Sequence, residues 1–408
     1  MIDSRRLCLD LHINSRPVVK FEGEKTYIST GDSDDMENAD TVTFHNRPSR
    51  ANVAPIKNDV IFAKMANTDK TFLIDEDLAT NIYSTGFFDV SSTRILPKFL
   101  YYLIQSDEFD SYKNAYSEGT TQISISDKRL KKIKITYETE KAKQRQIVDY
   151  LDKKVGIIDK MIANINQQIE DLKQYKRSLI TEIVTKGLNK NVSMKDSDLE
   201  MIGKIPETWE TTKLKYHSKY ITDGTHVTPE YIDNGVPFLS IKDISSGVID
   251  FSDVRYISKK QHNELYQHAP VKTGDIIFTR IGTLGISIVV DTDIVFDIFV
   301  SIGLIKPKID INPYFLTYFM NSEYYFQYIQ LVKAGGETAA AKFNLFDVKN
   351  SPIICPPQVE QQQIVEYLDK KCKKIDTLLQ VKQQKVAELT KYKKSLIYEC
   401  VTGKKEVL

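Results

Sequence analysis

The sequence predicts an α+β fold: two mixed α/β domains separated by two long helices that pair as an antiparallel coiled coil, the whole forming a pseudo-two-fold internal repeat. Three observations carry this expectation. A helical segment occurs twice at a fixed offset, a fainter strand-and-helix segment precedes each copy, and a Gly stands past the end of both copies, with Pro-Pro opening the second. In chain order the reading is a first domain over 1–140, a helical region over 141–190, a second domain over 194–355 and a second helical region over 356–408.

The first residues, Met1 to Asp10, show no apolar run, so no signal segment is expected there. Its element signals are the turn and strand Ile56-Lys-Asn-Asp-Val-Ile-Phe-Ala-Lys64, the helix start Pro97-Lys-Phe-Leu-Tyr-Tyr-Leu-Ile104 and the polar loop Gly119-Thr120-Thr121-Gln122. Acidic residues gather at Asp32, Asp34, Asp35, Glu37 and Asp40, and basic ones at Lys128, Arg129, Lys131, Lys132 and Lys134, patterns that most often mark solvated surface.

The first helical region carries Gln-Arg-Gln-Ile-Val-Asp-Tyr-Leu-Asp from Gln144, which aligns with Gln-Gln-Gln-Ile-Val-Glu-Tyr-Leu-Asp from Gln361. The same offset carries Tyr175-Lys-Arg-Ser-Leu-Ile onto Tyr392-Lys-Lys-Ser-Leu-Ile, and roughly half the aligned positions are identical, beyond what chance gives over several helical turns. Ile147, Leu151, Ile158, Ile162, Ile165, Ile169, Leu172, Leu179 and Ile183 recur at steps of three, four and seven, which puts them on one stripe. So narrow a stripe suits a coiled-coil seam.

The second domain repeats the signals of the first in Lys272-Thr-Gly-Asp-Ile-Ile-Phe-Thr-Arg280, in Pro313-Tyr-Phe-Leu-Thr-Tyr-Phe-Met320 and in the loop from Gly335-Gly336-Glu337-Thr338. The second helical region follows Pro356-Pro357 and carries Ile364, Leu368, Ile375, Leu379, Val386, Leu389 and Leu396 in one stripe, with Lys382 opposite Ile165; Gly187 and Gly403 stand where the two helices should end. Each helix would be about 60 Å long, and two matched rods from one chain are most simply used together as an antiparallel spacer. The seam is expected to use Ile158, Ile162, Ile165, Leu172, Leu179, Ile375, Leu379, Val386, Leu389 and Leu396. The helices agree closely while the domains differ, so the helices should meet one kind of partner and the domains different targets.

Composition bounds the function. At 408 residues the chain exceeds a single core, and 41% hydrophobic with 27% charged residues describes an ordinary soluble protein. The net charge of +1 supplies no global attraction for nucleic acid, so any such contact must be local. Cys8, Cys355, Cys372 and Cys400 form no Cys-x-x-Cys pair, and no run of 18 apolar residues occurs; the expectation is a cytoplasmic protein with reduced thiols and no membrane contact. No phosphate loop is present. Asn312-Pro-Tyr-Phe315 lacks the second Pro of a base-flipping methyltransferase motif and falls at a helix start; His12, His45, His217, His226, His262 and His268 show no metal-ligand spacing. Neither a catalytic nor a metal site is expected.

The residues then carry a family likeness. The chain resembles the specificity subunit of type I restriction-modification systems in Ile205-Pro206-Glu-Thr-Trp209-Glu-Thr-Thr-Lys-Leu214, in Asp223-Gly-Thr-His-Val-Thr-Pro229, in Lys272-Thr-Gly-Asp275 and in Pro356-Pro-Gln-Val-Glu-Gln-Gln-Gln-Ile364. The resemblance implies two target-recognition domains that read an asymmetric, bipartite double-stranded DNA sequence. It implies binding of two methyltransferase (modification) subunits through the helical regions, and recruitment of restriction/translocase subunits. This chain would bind no cofactor; S-adenosylmethionine, ATP and magnesium are expected in the partner subunits. Two readers on a spacer suit half-sites about one helical turn, roughly 34 Å, apart. The first domain departs from the pattern: Met1 to Asp59 is shorter than its counterpart Met194 to Asp275, and Pro-x-x-Trp is absent, so its N-terminal strand is expected to be missing or replaced.

Phosphate contacts position such a protein and base-edge contacts specify sequence. Lys64 and Arg280, each ending a matched strand, are candidate DNA contacts, with Lys242, Gly224, Thr225 and His226, and the loop residues Thr120, Thr121, Gln122, Lys342 and Asn344. For each cation a surface ion pair is the competing reading. The rival for the whole chain is a coiled-coil scaffold whose domains bind proteins.

Overall fold

The computed structural model describes the backbone of residues 2–6 and all of residues 10–31, 39–119, 123–335 and 340–407. It forms two compact units, one from residues 1–167 with 382–408, the other from residues 168–381. Each unit thus takes the start of one long helix, the end of the other and one globular domain.

In the first unit the strands are β1 (Ile2–Arg6), β2 (His12–Ile13), β3 (Lys25–Ile28), β4 (Asp40–Val42), β5 (Ala51–Val53), β6 (Val60–Ala63), β7 (Thr71–Leu73), β8 (Ile82–Ser84), β9 (Phe87–Ser91) and β10 (Lys134–Glu138). Helices α1 (Pro97–Ile104), α2 (Asp107–Tyr116), α3 (Asp127–Leu130) and the start of α4 (Lys141–Lys186) complete it. The sheets run β2-β9-β6-β7 and β4-β3-β8-β5, with β1 paired to β10.

The second unit repeats this plan with β11 (Met194–Asp196), β12 (Lys204–Pro206), β13 (Glu210–Lys213), β14 (Ser218–Asp223), β15 (Val236–Leu239), β16 (Arg255–Ile257), β17 (Ile276–Thr279), β18 (Ser287–Val289), β19 (Asp297–Ile298), β20 (Ile302–Pro307) and β21 (Pro352–Cys355). Its helices are α5 (Lys259–Leu265), α6 (Pro313–Met320), α7 (Glu323–Val332), α8 (Leu345–Asn350) and the start of α9 (Gln358–Val401). The sheet β14-β20-β17-β18 has the connectivity of β2-β9-β6-β7, and the parallel pair β15–β19 answers the parallel pair β3–β8.

The repeated sequence signals now have physical causes. In Ile56-Lys-Asn-Asp59 and Lys272-Thr-Gly-Asp275 the Asp carboxylate accepts the amide three residues back, at 2.8 Å in both, around a left-handed residue, Asn58 or Gly274. Gln144 and Gln361, both fully buried, tie the long helices to their domains. Each side-chain carbonyl accepts the amide preceding a short helix, from Leu96 at 2.9 Å and Asn312 at 2.6 Å, and each amide donates to a backbone carbonyl at 2.8 Å. Tyr102 on Asp152 and Tyr318 on Asp369, 2.7 Å each, repeat a second tie.

The first domain does have its N-terminal strand: β1 pairs antiparallel with β10 as β13 pairs with β21. What the first unit lacks, among the described residues, is the β11–β12 hairpin ahead of Trp209. Trp209 is fully buried against Gly187 and donates to Glu360 at 2.8 Å, so it closes the second domain over the end of α4 and the start of α9.

Within each unit the long helices run antiparallel. In the first, Ile147, Leu151, Val155 and Ile158 share a core with Leu396, Ile397, Cys400 and Val401, Lys393 meets Asp159 at 2.7 Å, and Lys405 lies over Tyr150. In the second, Leu179, Ile183 and Val184 share a core with Ile364, Leu368 and Ile375, and Lys176 meets Asp376 at 2.6 Å. Of the seam residues read from the sequence, Ile158, Leu179, Ile375 and Leu396 are buried, while Ile162, Ile165, Leu172, Leu379, Val386 and Leu389 are half-buried. Ile162 and Leu389 pack on the margin of the first unit's core, and Leu172 and Leu379 on that of the second. Cys355, Cys372 and Cys400 are free thiols, and Cys8 lies outside the described residues. No helix among the described residues is long and apolar enough to cross a membrane.

Candidate nucleic-acid interface

In the second unit the candidate residues converge on the end of β17. Arg280 leaves that strand buried (8% exposed), and its Nη1 donates to Asp223 Oδ2 at 2.5 Å and to the Val300 carbonyl at 3.1 Å. Asp223, 4% exposed, ends β14, which lies across β20 from β17 in the same sheet. A guanidinium so enclosed cannot leave its carboxylate without stranding a buried charge. Arg280 therefore holds the loops together through Asp223, as in its ion-pair reading, but in a buried pair and not a surface one.

What the pair supports is exposed. His226 Nε2 reaches the same carboxylate oxygen at 3.1 Å while most of its ring faces solvent, and His268 sits 3.3 Å from Thr222 Oγ1 and 4.0 Å from Asp223 Oδ1. Gly224 is buried: a Cβ there would lie 2.0 Å from the Ile298 carbonyl oxygen, so only glycine lets the loop cross that strand end. Thr225 exchanges backbone hydrogen bonds with Ile298 and Val300, which orients the exposed His226 and Val227.

The loop after α7 closes on the same place. Lys342 bridges both Ala334 and Ile281, and the Phe343 amide donates to the Arg280 carbonyl at 2.8 Å. Lys342 is exposed, and Asn344 sits half-buried at the start of α8, its amide 3.4 Å from Asp347. Of Gly335-Gly336-Glu337-Thr338, all but Gly335 lie outside the described residues. Lys242 stands apart, after β15 on the other sheet, where it bonds Asp253 at 2.9 Å; the neighbouring Ile241 lies beside Gly282.

The first unit repeats the geometry with different chemistry. Lys64 ends β6 as Arg280 ends β17, and the Ile125 amide donates to its carbonyl at 2.9 Å as Phe343 does to Arg280. Among the described residues its ammonium has no carboxylate partner; it lies 4.6 Å from the centre of the Phe88 ring. Burial lowers its pKa, with Asp127 opposing. Among the described residues this half-buried cation makes no close ion pair, so it gains more from an anionic ligand than Arg280, whose charge Asp223 already meets. Glu118 and Ser124 close the base of the adjoining loop, with Arg129 on Glu118. The loop tip, Thr120, Thr121 and Gln122, lies outside the described residues, as do Asp32, Asp34, Asp35 and Glu37.

Two features escaped the sequence reading. One is Asp223 as the anchor of Arg280. The other is the turn after each matched strand, Met65–Asp69 and Ile281–Gly285, which carries left-handed Asn67 in one domain and left-handed Gly282 and Gly285 in the other. The glycines three apart directly behind a matched strand were the available signal. No group of three or more His, Cys, Asp or Glu among the described residues is placed to hold a metal. The assembly is one of loop donors and cations on a rigid sheet edge, a geometry for contacting a polar, anionic surface.

The model of the type I restriction modification DNA specificity domain matches residues 13–171 and again 206–389. The chain is 28% identical over 312 residues to the type I restriction enzyme MjaVIII specificity subunit of Methanocaldococcus jannaschii, covering 75% of this chain and 69% of that one. It is 25% identical over 276 residues to the EcoBI specificity subunit of Escherichia coli, covering 64% and 56%. A solved chain from work on complex assembly and conformational transition of the type I R-M system superposes with a TM-score of 0.69 over 98% of both chains at 18% identity, the same fold. Two copies of one family's domain, each built on the same strand order and closed by the same buried glutamine, place this chain in the type I restriction-modification DNA specificity family, as one of its specificity subunits.

Proposed function

We propose that the chain reads a bipartite, asymmetric sequence in double-stranded DNA, one part with each domain, and brings two methyltransferase subunits and the restriction/translocase subunits to it in the cytoplasm. It performs no catalysis itself; S-adenosylmethionine, ATP and magnesium act in the partners. The observation that carries this reading is a duplicated outward face. Met161 and Leu378 occupy the same repeat position and are each 50% exposed; Tyr175 and Tyr392 occupy another and are 54% and 55% exposed. Each compact unit therefore displays one Met or Leu and one Tyr on its helices. Large apolar side chains held in water at matched places support contact with two copies of one partner. The loops at the ends of β6 and β17 differ, which supports two different half-sites. A coiled-coil scaffold would need the first feature and give no reason for the second.

The test is co-expression with the cognate methyltransferase subunit, native mass spectrometry and methylation mapping. The expected result is two methyltransferase copies per chain and one recurring bipartite motif. Scattered or absent methylation would refute the reading, and Met161→Asp with Leu378→Asp should cost both copies.

A further inference from the structure

The two turns that follow the matched strands are fastened by different physics. The step that carries Pro97 onto Pro313 also carries Asp69 onto Gly285, Asp110 onto Phe326 and Lys113 onto Ile329. In the second domain this place is apolar: a Cβ on Gly285 would lie 3.1 Å from the Phe326 ring and 3.8 Å from Ile329 Cδ1, and Leu284 packs on the core beside them. In the first domain it is ionic. Lys394 of α9 meets Asp69 at 2.6 Å and Asp110 at 3.4 Å, Lys113 pairs with Asp110 at 3.1 Å and donates to the Thr68 carbonyl, and the Asn67 amide donates to Asn114 at 2.9 Å. Burial works against a charged Asp69, yet hydrogen bonding and charge from Lys394 outweigh it and hold its carboxyl below the usual range.

The helix residue is the odd member. Arg177 stands at the position of Lys394 in the helical repeat, is largely exposed, and reaches Glu323 only at 3.9 Å. So one copy of the repeated helix fastens a reading turn and the other does not. The turn of the first domain lies against its polar loop, since Ala66 donates to the Ile123 carbonyl and Met65 bridges Ser124.

We propose that Lys394 is a positioning residue for sequence reading by the first domain alone, acting through Asp69 and Asp110 on the turn Met65–Asp69. This rests on the DNA-reading function above. A turn held by partly exposed ion pairs loosens as salt rises, whereas one held by van der Waals contact does not. The first half-site should therefore lose discrimination at ionic strengths where the second still reads faithfully.

Two measurements on the full chain test this, and they separate its failure from that of the parent reading. Hydrogen exchange of the amides from Asn67 to Lys70 should quicken about tenfold in Lys394→Met, with Thr283 to Ile286 unchanged and Lys394→Arg close to wild type. Unchanged exchange in Lys394→Met would overturn the proposal whether or not the chain reads DNA. With the partner-bound chain, competition between duplexes altered in either half should show Lys394→Met losing about tenfold discrimination in one half only, as when a good base contact is lost. Equal loss in both halves, or none, would overturn it; Arg177→Met should change neither. A wild-type chain that favours no bipartite duplex at all would instead refute the parent function, with the exchange result still deciding the latch.

Discussion

Arg280→Met tests the assignment of Arg280 as an internal anchor. The substitution keeps the aliphatic stem and removes the guanidinium, leaving Asp223 charged, 4% exposed and without the 2.5 Å partner, and leaving the Val300 carbonyl short of a donor. Breaking a buried pair from one side costs about 3–5 kcal/mol when nothing replaces the lost partner, and His226, left on the same oxygen at 3.1 Å, places the cost here toward the lower end. Removing both charges is far cheaper: Arg280→Met with Asp223→Leu should cost at least about 2 kcal/mol less than the single change. Because the chain has two compact units, the right assay is native-state hydrogen exchange of β17 and β20, which reports opening of that unit by itself. DNA binding should fall only as far as the unit opens. If Arg280→Met opened within about 0.5 kcal/mol of wild type and still lost DNA affinity, Arg280 would be a ligand contact and the buried-anchor argument would be wrong.

Lys64→Met should do the opposite: stability within about 0.5 kcal/mol of wild type, with weaker DNA binding whose log–log salt slope drops by about 1 if the ammonium meets a phosphate. Trp209→Ala empties a fully buried site and frees Glu360, and should destabilise the second unit by about 3–5 kcal/mol in denaturant unfolding while leaving exchange in the first unit unaltered. Asp89 sits buried beside Asn14, Asp59 and Arg16, and burial, only partly opposed by the Asn14 hydrogen bond, pushes its pKa up to about 6. A folded pKa above the unfolded value near 3.9 means its contribution is full below about pH 4 and is lost as pH rises through about 6. Opening of the first unit should thus become easier by about 1–2 kcal/mol between pH 4 and 7.5, and Asp89→Asn should flatten that change; an unaltered profile would contradict the assignment.

Much of this molecule is written locally. The stripe from Ile147 to Ile183, its copy in the second helix, and the bracketing Pro356-Pro357, Gly187 and Gly403 declare two long helices, because helix periodicity and end signals are properties of neighbouring residues. The turn Lys272-Thr-Gly-Asp275 is equally local: its carboxylate bonds an amide three residues away. The duplication made the family legible for the same reason, since a repeat needs no knowledge of contacts.

Other features exist only once distant segments meet. Nothing near Arg280 in the chain announces that Asp223 will take its guanidinium, or that Lys64 at the matching place will meet an aromatic face instead. The strand at Ile2–Arg6 carries no motif and is a strand because β10 is there to pair with it. Lys394 looks like one more solvated lysine on a helix until Asp69 and Asp110 arrive from two other elements. Sequence by itself determined the rods, the duplication and the family, all set by spacing along the chain; tertiary structure alone decided which charges are buried and which face water, because a charge's burial depends on residues that the chain brings to it from far away.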